Sequence, residues 1–179
     1  MDQRIDREIA KYEAVWSLSD YAKWSPGETY AHLLPEFVPP PADVIDIGCG
    51  NGAGGRALKA LGYNVRFLDI VCVTDERPFI QSAIWEWKPR KKYGVGFCCD
   101  VMEHLPTEYV GLSLDRIKHG CTACLLSIGL TPDHFGARIG ETLHLTVKPF
   151  YWWRDFLDEF GDVEDARDLL HTGLYFVRF

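Results

Sequence analysis

The sequence predicts an α/β domain built on a mostly parallel, doubly wound sheet with helices on both faces. Short apolar runs of strand length alternate with helical patterns along the chain, and only a few residues join one to the next. The first of these runs, "DVIDIG" (Asp43–Gly48), breaks into five glycines in eight residues, the kind of turn that leads from a strand into a helix packed close upon it. A chain of 179 residues suits one domain, with a helical segment over 1–38 and an α/β core over 42–179.

In "RIDREIAKYEAVW" (Arg4–Trp16), Ile5, Ile9, Tyr12 and Trp16 recur at helical spacing, so an amphipathic first helix is expected with its charges turned outward. "SPGE" (Ser25–Glu28) offers an N-cap serine, a proline at the first helical position and a glutamate placed for a capping box. A second helix should run from there to about Glu36, and "VPPP" (Val38–Pro41) ends it. The core then opens with strand "DVIDIG", helix "GGRALKAL" closed by Gly62, and strand "NVRFLDI". "RPFIQSAIW" reads as a third strand and "YGVGFCCDV" as a fourth. A helix over "PTEYVGLSLDRIKHG" with Val110, Leu114 and Ile117 inward precedes strand "CTACLLSIG". A last helix fits "YWWRDFLDEFG", with Trp153, Phe156, Leu157 and Phe160 at core spacing. "VEDARDLL" and "LYFVRF", joined by "HTG", can only pair antiparallel.

Composition excludes several functions. Nearly half the residues are apolar, which argues against disorder, and a net charge of −7 argues against a protein that tracks a phosphate backbone. The one basic cluster, "KPRKK" (Lys88–Lys92), reads as a solvated loop. The amino-terminal segment has no apolar h-region and no window reaches the length of a spanning helix, so a cytoplasmic protein without a membrane partner is expected. Six cysteines lie mostly in apolar runs and are expected reduced; "CTAC" has knuckle spacing but no second ligand pair, so no metal site is expected.

Ligand sites in such sheets lie beyond the carboxyl ends of the strands, where strand order reverses, and the first glycine turn is their floor. Gly48, Gly50 and Ala53 satisfy GxGxxA, with Asp69 about 20 residues on for a ribose, which alone points to a dinucleotide such as NAD. Asp46, however, ends the strand where a pyrophosphate would dock. Two like charges at about 4 Å and an effective dielectric near 20 cost on the order of 4 kcal/mol. A cationic ligand gains there instead. S-adenosylmethionine, with an ammonium, a sulfonium and a ribose, meets that demand: Gly48, Gly50 and Gly52 admit its amino-acid end and Asp69 takes the ribose hydroxyls.

"VIDIGCGNG" followed by "FLDI" resembles motifs I and II of the class I S-adenosylmethionine-dependent methyltransferases. The resemblance continues more loosely through "FIQSAIWEW", "FCCDVMEHLP" and "LLSIGL", and so covers most of the chain from Val44. It implies a three-layer, Rossmann-like fold whose seven-stranded sheet has an antiparallel last strand, two amino-terminal helices as a lid, and S-adenosylhomocysteine as product. It further implies cofactor contacts from Cys49, Ile70 and Asp100, and an adenine pocket walled by Ser82, Ala83, Ile84 and Trp85.

For the chemistry, "DVMEHL" places Asp100, Glu103 and His104 just past the fourth strand, over the expected methyl group. His104 and His144 are the candidate catalytic bases, needed if the acceptor loses a proton as it attacks. Both have structural readings as well, a helix cap or a wall of the cleft. Glu103, Lys148 and Trp152 are candidate acceptor contacts, as are Tyr21 and Trp24 in the linker "SDYAKW". The favoured acceptor is a small molecule or a glycan-like compound. Amino-methylating DNA enzymes of this fold resemble one another in a (D/N/S)PP(Y/F) motif after the fourth strand, where "DVMEHL" stands here, and the acidic charge agrees with its absence. A protein acceptor, or a module that binds the cofactor without transferring a methyl group, remains open.

Overall fold

The computed structural model describes residues 3–179, Ala22 by its backbone alone. Helix α1 (Gln3–Trp16) and helix α2 (Pro26–Tyr30) precede the sheet. The core alternates β1 (Asp43–Ile47), α3 (Ala53–Ala60), β2 (Asn64–Asp69), β3 (Phe79–Gln81), β4 (Val95–Cys99), α4 (Thr107–Gly120), β5 (Ala123–Gly129), α5 (Phe150–Asp158), β6 (Asp162–Asp168) and β7 (Thr172–Arg178). The strands form one seven-stranded sheet in the order β3-β2-β1-β4-β5-β7-β6. β1 to β5 pair in parallel, while β7 runs against both β5 and β6, as expected for the last strand. Strand order reverses between β1 and β4, and their carboxyl ends open the crevice that holds the site.

Alternation along the strands sorts side chains to two cores. Ile45, Ile47, Cys98 and Leu126 pack on one face with Val110, Leu114 and Ile117 of α4 and Trp153 and Leu157 of α5. Val44, Phe67 and Phe97 pack on the other with Leu58 of α3 and Leu34. Asp46 alternates in register with Val44, so its carboxyl lies under α3 rather than in an apolar layer, and the Gly55 N–H meets it there. Cys121 and Cys124 are buried free thiols in the first core, not a ligand pair. Among the described residues no helix is long and apolar enough to cross a membrane.

Three local expectations change. Ser25 caps α2, its hydroxyl accepting from the Glu28 N–H at 3.3 Å, but the helix lasts only to Tyr30 and tightens into a 3-10 turn over Ala31–Glu36 that contains Pro35. A proline there removes an α-type donor and favours the tighter turn. The third strand shrinks to Phe79–Gln81, because its far half forms a 3-10 turn at Ile84–Glu86 that buries Trp85. In α1 the buried residues are Glu8, Lys11 and Val15, with Ile5, Ile9, Tyr12 and Trp16 only half-buried. Glu8 and Lys11 enter as an ion pair at 2.5 Å, which meets the requirement that buried charges be paired.

Candidate active site

A cavity of about 430 Å³ lies over the carboxyl ends of β1, β2, β4 and β5, a normal size for a small-molecule site. Its floor is the turn between β1 and α3. Gly48 and Gly50 line it with φ of +69° and +50°, conformations that only glycine adopts freely. A Cβ on Gly48 would collide with the Val101 side chain, and one on Gly50 would stand 2.5 Å from the Trp16 ring, so backbone is bare here because side chains already occupy the space. Asp69 holds the turn: Oδ2 accepts the Gly50 N–H at 2.8 Å and Oδ1 the Val71 N–H at 3.1 Å. With the Ile70 N–H also bonding the carboxyl, one lone pair is left for a ligand.

Two acids are buried beneath the turn. Burial, and then the charge of Asp69, push Asp46 up to about 7 against the Gly55 N–H, and Asp46 Oδ2 is buried without a partner. Burial raises Asp69 too, against bonds from Gly50, Val71 and Ile70. Asp46 is therefore not the fixed anion its sequence position suggests: near neutral pH its carboxyl is partly protonated, and a bound cation favours the anion.

The opposite wall is a polar cluster. Asp100, a non-glycine residue at φ +61°, follows β4, and Glu103 and His104 sit in the 3-10 turn Met102–His104. His144 comes from the loop between β5 and α5. His104 and His144 meet edge to face with ring centroids 4.7 Å apart, and His104 Nε2 lies 3.9 Å from Asp100 Oδ2. The His144 loop is tied by Asp133, which accepts N–H bonds from Gly136 (2.7 Å), Leu143 (2.9 Å) and His144 (3.1 Å). His144 Nδ1 donates to the Thr131 carbonyl at 2.6 Å, which leaves Nε2 bare. Burial and the neighbouring His104 hold the His144 imidazole below its ordinary pKa, so it is neutral at pH 7. Burial and the Asp100 charge push Glu103 well up, and the bonds and charge of His104 outweigh burial to hold Asp100 down.

The rim joins the amino-terminal segment to the β5–α5 loop. Asp20 pairs with Arg138 at 2.7 Å, and Tyr21 meets Phe135 edge to face at 5.3 Å.

Of the residues predicted for the site, Asp46, Gly48, Cys49, Gly50, Asp69, Ile70, Ser82, Ala83, Ile84, Trp85, Asp100, His104, His144, Tyr21 and Trp24 all line the cavity. Gly52 does not: it caps α3 at φ +79°, and its open side faces Thr74 and Glu76. Glu103 lies fully buried behind the wall, out of reach of an acceptor. Lys148 and Trp152 also lie off the cavity. Lys148 Nζ sits over the Trp152 ring at 5.5 Å and Trp152 stacks on Phe156, because the inward stripe of α5 runs through Trp153 and Leu157, one position away. Sequence reasoning misses Tyr12, Trp16 and Asp133 as site residues. The first two fall on what looks in sequence like a plain apolar helix face, and nothing there marks Asp133 as the residue that folds a loop.

No protein-family model matches the chain. Among solved structures, it is similar to a 1,6-didemethyltoxoflavin-N1-methyltransferase from Burkholderia thailandensis with bound S-adenosylhomocysteine, with a TM-score of 0.73 and 15% identity over 97% of this chain and 86% of that one. A magnesium protoporphyrin IX methyltransferase from Synechocystis with bound S-adenosylmethionine gives 0.62 and 18% over 99% and 83%. The fold is that of the class I S-adenosylmethionine-dependent methyltransferases. Among curated proteins, ubiquinone biosynthesis O-methyltransferases of Rickettsia canadensis and Rickettsia felis are 32% identical over 75 residues and 27% identical over 103 residues. Those matches take in 35% and 50% of this chain but only 32% and 42% of the relatives' own lengths. The methyltransferase fold accounts for the strand order and for a site placed at the β1/β4 switch.

Proposed function

We propose that the chain is an S-adenosylmethionine-dependent methyltransferase that methylates a hydroxyl of a small, planar acceptor. One observation carries the reading: the bare glycine turn with its two buried acids and the histidine–carboxylate cluster are opposite walls of one cavity. The turn fits the methyl donor on this chain's own chemistry. Gly48 and Gly50 line the cavity with main chain, Asp46 Oδ2 lacks a partner that an ammonium supplies, and Asp69 has a lone pair left for a ribose hydroxyl. Ile70 and the segment Ser82–Trp85 form the wall an adenine would take, with Cys49 beneath. The donor, when bound, supplies an electrophilic methyl group on a cationic sulfur.

The chain's part is placement and proton removal. Placement of two reactants can supply roughly 7 to 11 kcal/mol of a barrier. Asp100, His104 and His144 are the groups next to which an acceptor hydroxyl would lose its proton. Tyr12, Trp16, Tyr21 and Trp24 give the cavity an aromatic lining suited to a flat acceptor and to excluding water. The O-methyltransferase names of the curated relatives favour oxygen as the acceptor atom, and the acidic chain disfavours nucleic acid.

Calorimetry tests the donor. S-adenosylmethionine should bind, and Asp69→Ala should weaken it by at least ~100-fold, since a hydrogen bond to a charged group and the bonds that hold the turn are lost. Binding unchanged by that substitution, or saturable binding of NAD in its place, would sink the assignment. Transfer of labelled methyl groups into phenolic metabolites, and none into nucleic acid, is the outcome expected for the acceptor.

A further inference from the structure

We infer that Asp100, Glu103, His104 and His144 form a binding site for one first-row divalent cation, such as Mn²⁺ or Zn²⁺, on the acceptor side of the cavity. One ligand atom from each of these residues lies within 4.8 Å of the others. Donors about 2.1 Å from a shared centre stand roughly 3.4 Å apart in a tetrahedron, so small side-chain rotations close the set around an ion.

Independent features point to a missing partner. Glu103 Oε2 is buried without a hydrogen-bond donor, on a residue 0% exposed, and its side-chain neighbour is another carboxyl, that of Asp100. Unsatisfied buried polar atoms are rare because each forfeits its hydration. Among the described residues no Lys or Arg pairs with either carboxyl; the sole ion-pair partner there is His104. The remaining atoms of the set are already oriented from behind. Glu103 Oε1 accepts the Gly129 N–H, and the Thr131 carbonyl fixes the His144 tautomer so that Nε2 faces the cluster with a lone pair. Bonds of this kind aim and tune metal ligands. Asp100 is also held in a left-handed conformation that an aspartate adopts at a cost, a feature that persists where surroundings impose it.

The donor set selects the metal. Two imidazoles and two carboxylates suit Mn²⁺, Fe²⁺ or Zn²⁺ better than Mg²⁺ or Ca²⁺, which prefer oxygen alone, and no thiolate is present to favour Cu(I). Asp100, His104 and His144 line the cavity, so an ion there keeps positions open towards it. On the methyltransferase reading, an acceptor hydroxyl takes such a position and its proton becomes easier to remove. The site itself does not depend on that reading.

The test uses the full chain stripped by a chelator. Titration with MnCl₂, followed by the resonance of free Mn²⁺, should saturate at one equivalent, and Mg²⁺ should bind at least ~10-fold more weakly. Co²⁺ should give the intense visible absorption of a four- or five-coordinate site. Glu103→Gln keeps the side-chain shape and the bond from Gly129, so it should fold and yet lose at least ~10-fold in Mn²⁺ affinity; His144→Asn should do the same. S-adenosylhomocysteine titrated into the same samples separates the two ideas. If it binds while Mn²⁺ and Zn²⁺ do not, the metal site falls and the donor site stands. If the metal binds stoichiometrically and S-adenosylhomocysteine does not, the metal site stands and the donor site falls. Binding that neither substitution alters would also overturn the proposal.

Discussion

The two walls of the cavity are built in opposite ways. The wall proposed for the donor rests on one continuous turn, made of main chain and closed by Asp69, the end of the neighbouring strand. The wall proposed for the acceptor is made of side chains from two places far apart in sequence, and Asp133 and Thr131 hold its second half in position. A wall of backbone recognises a ligand by what it leaves empty; a wall of side chains recognises one by what it lacks. That contrast explains why donor binding should survive changes to the cluster that stop turnover.

The sharpest test of this separation is His104→Ala. It should lower kcat by ~10²- to 10⁴-fold, the range for a lost group acting on a proton, with S-adenosylhomocysteine affinity within about threefold of the parent. A matching loss of donor affinity would mean that the walls are one unit.

A smaller effect should come from Asp46 on the other wall. Its carboxyl in the free protein lies near 7, and a cationic donor favours the anion, so donor affinity should rise with pH through about 7 and flatten above it. Asp46→Asn should abolish that rise. Stability of the free protein moves the other way. Native Asp46 holds its proton more tightly than the unfolded carboxyl at 3.8, so its share of stability is full below about pH 4 and is lost as pH climbs to about 7. That share is on the order of 4 kcal/mol, read by thermal melts of parent and Asp46→Asn across the range.

The least effect is expected at the rim. Arg138→Ala removes an exposed pair with Asp20 and should leave Tm within about 2 °C, since such pairs contribute little. A larger fall in calorimetry would make the rim part of the fold.

The same contrast sets what is legible in the sequence. The glycine turn, Asp69 and the order of strands are readable because each is a local pattern whose physical reason lies within a few residues. Asp100 and His104 stand out in "DVMEHL" and His144 in its loop, but their meeting depends on a loop folded by Asp133, which no periodicity reveals. Lys148 and Trp152 mislead for a related cause: polar and aromatic residues near a site look alike until the rotation of α5 decides which face it turns inward. Glu8 and Lys11 look solvent-facing in sequence because charge usually is; their ion pair is what lets both be buried on the side of α1 that lines the cavity.

That helix touches both walls at once. The Trp16 ring sits where a Cβ of Gly50 would be, and the Tyr12 ring meets His104 edge to face at 6.0 Å. Because one helix reaches both, removing either ring should, on the proposed methyltransferase reading, be felt by donor and acceptor alike.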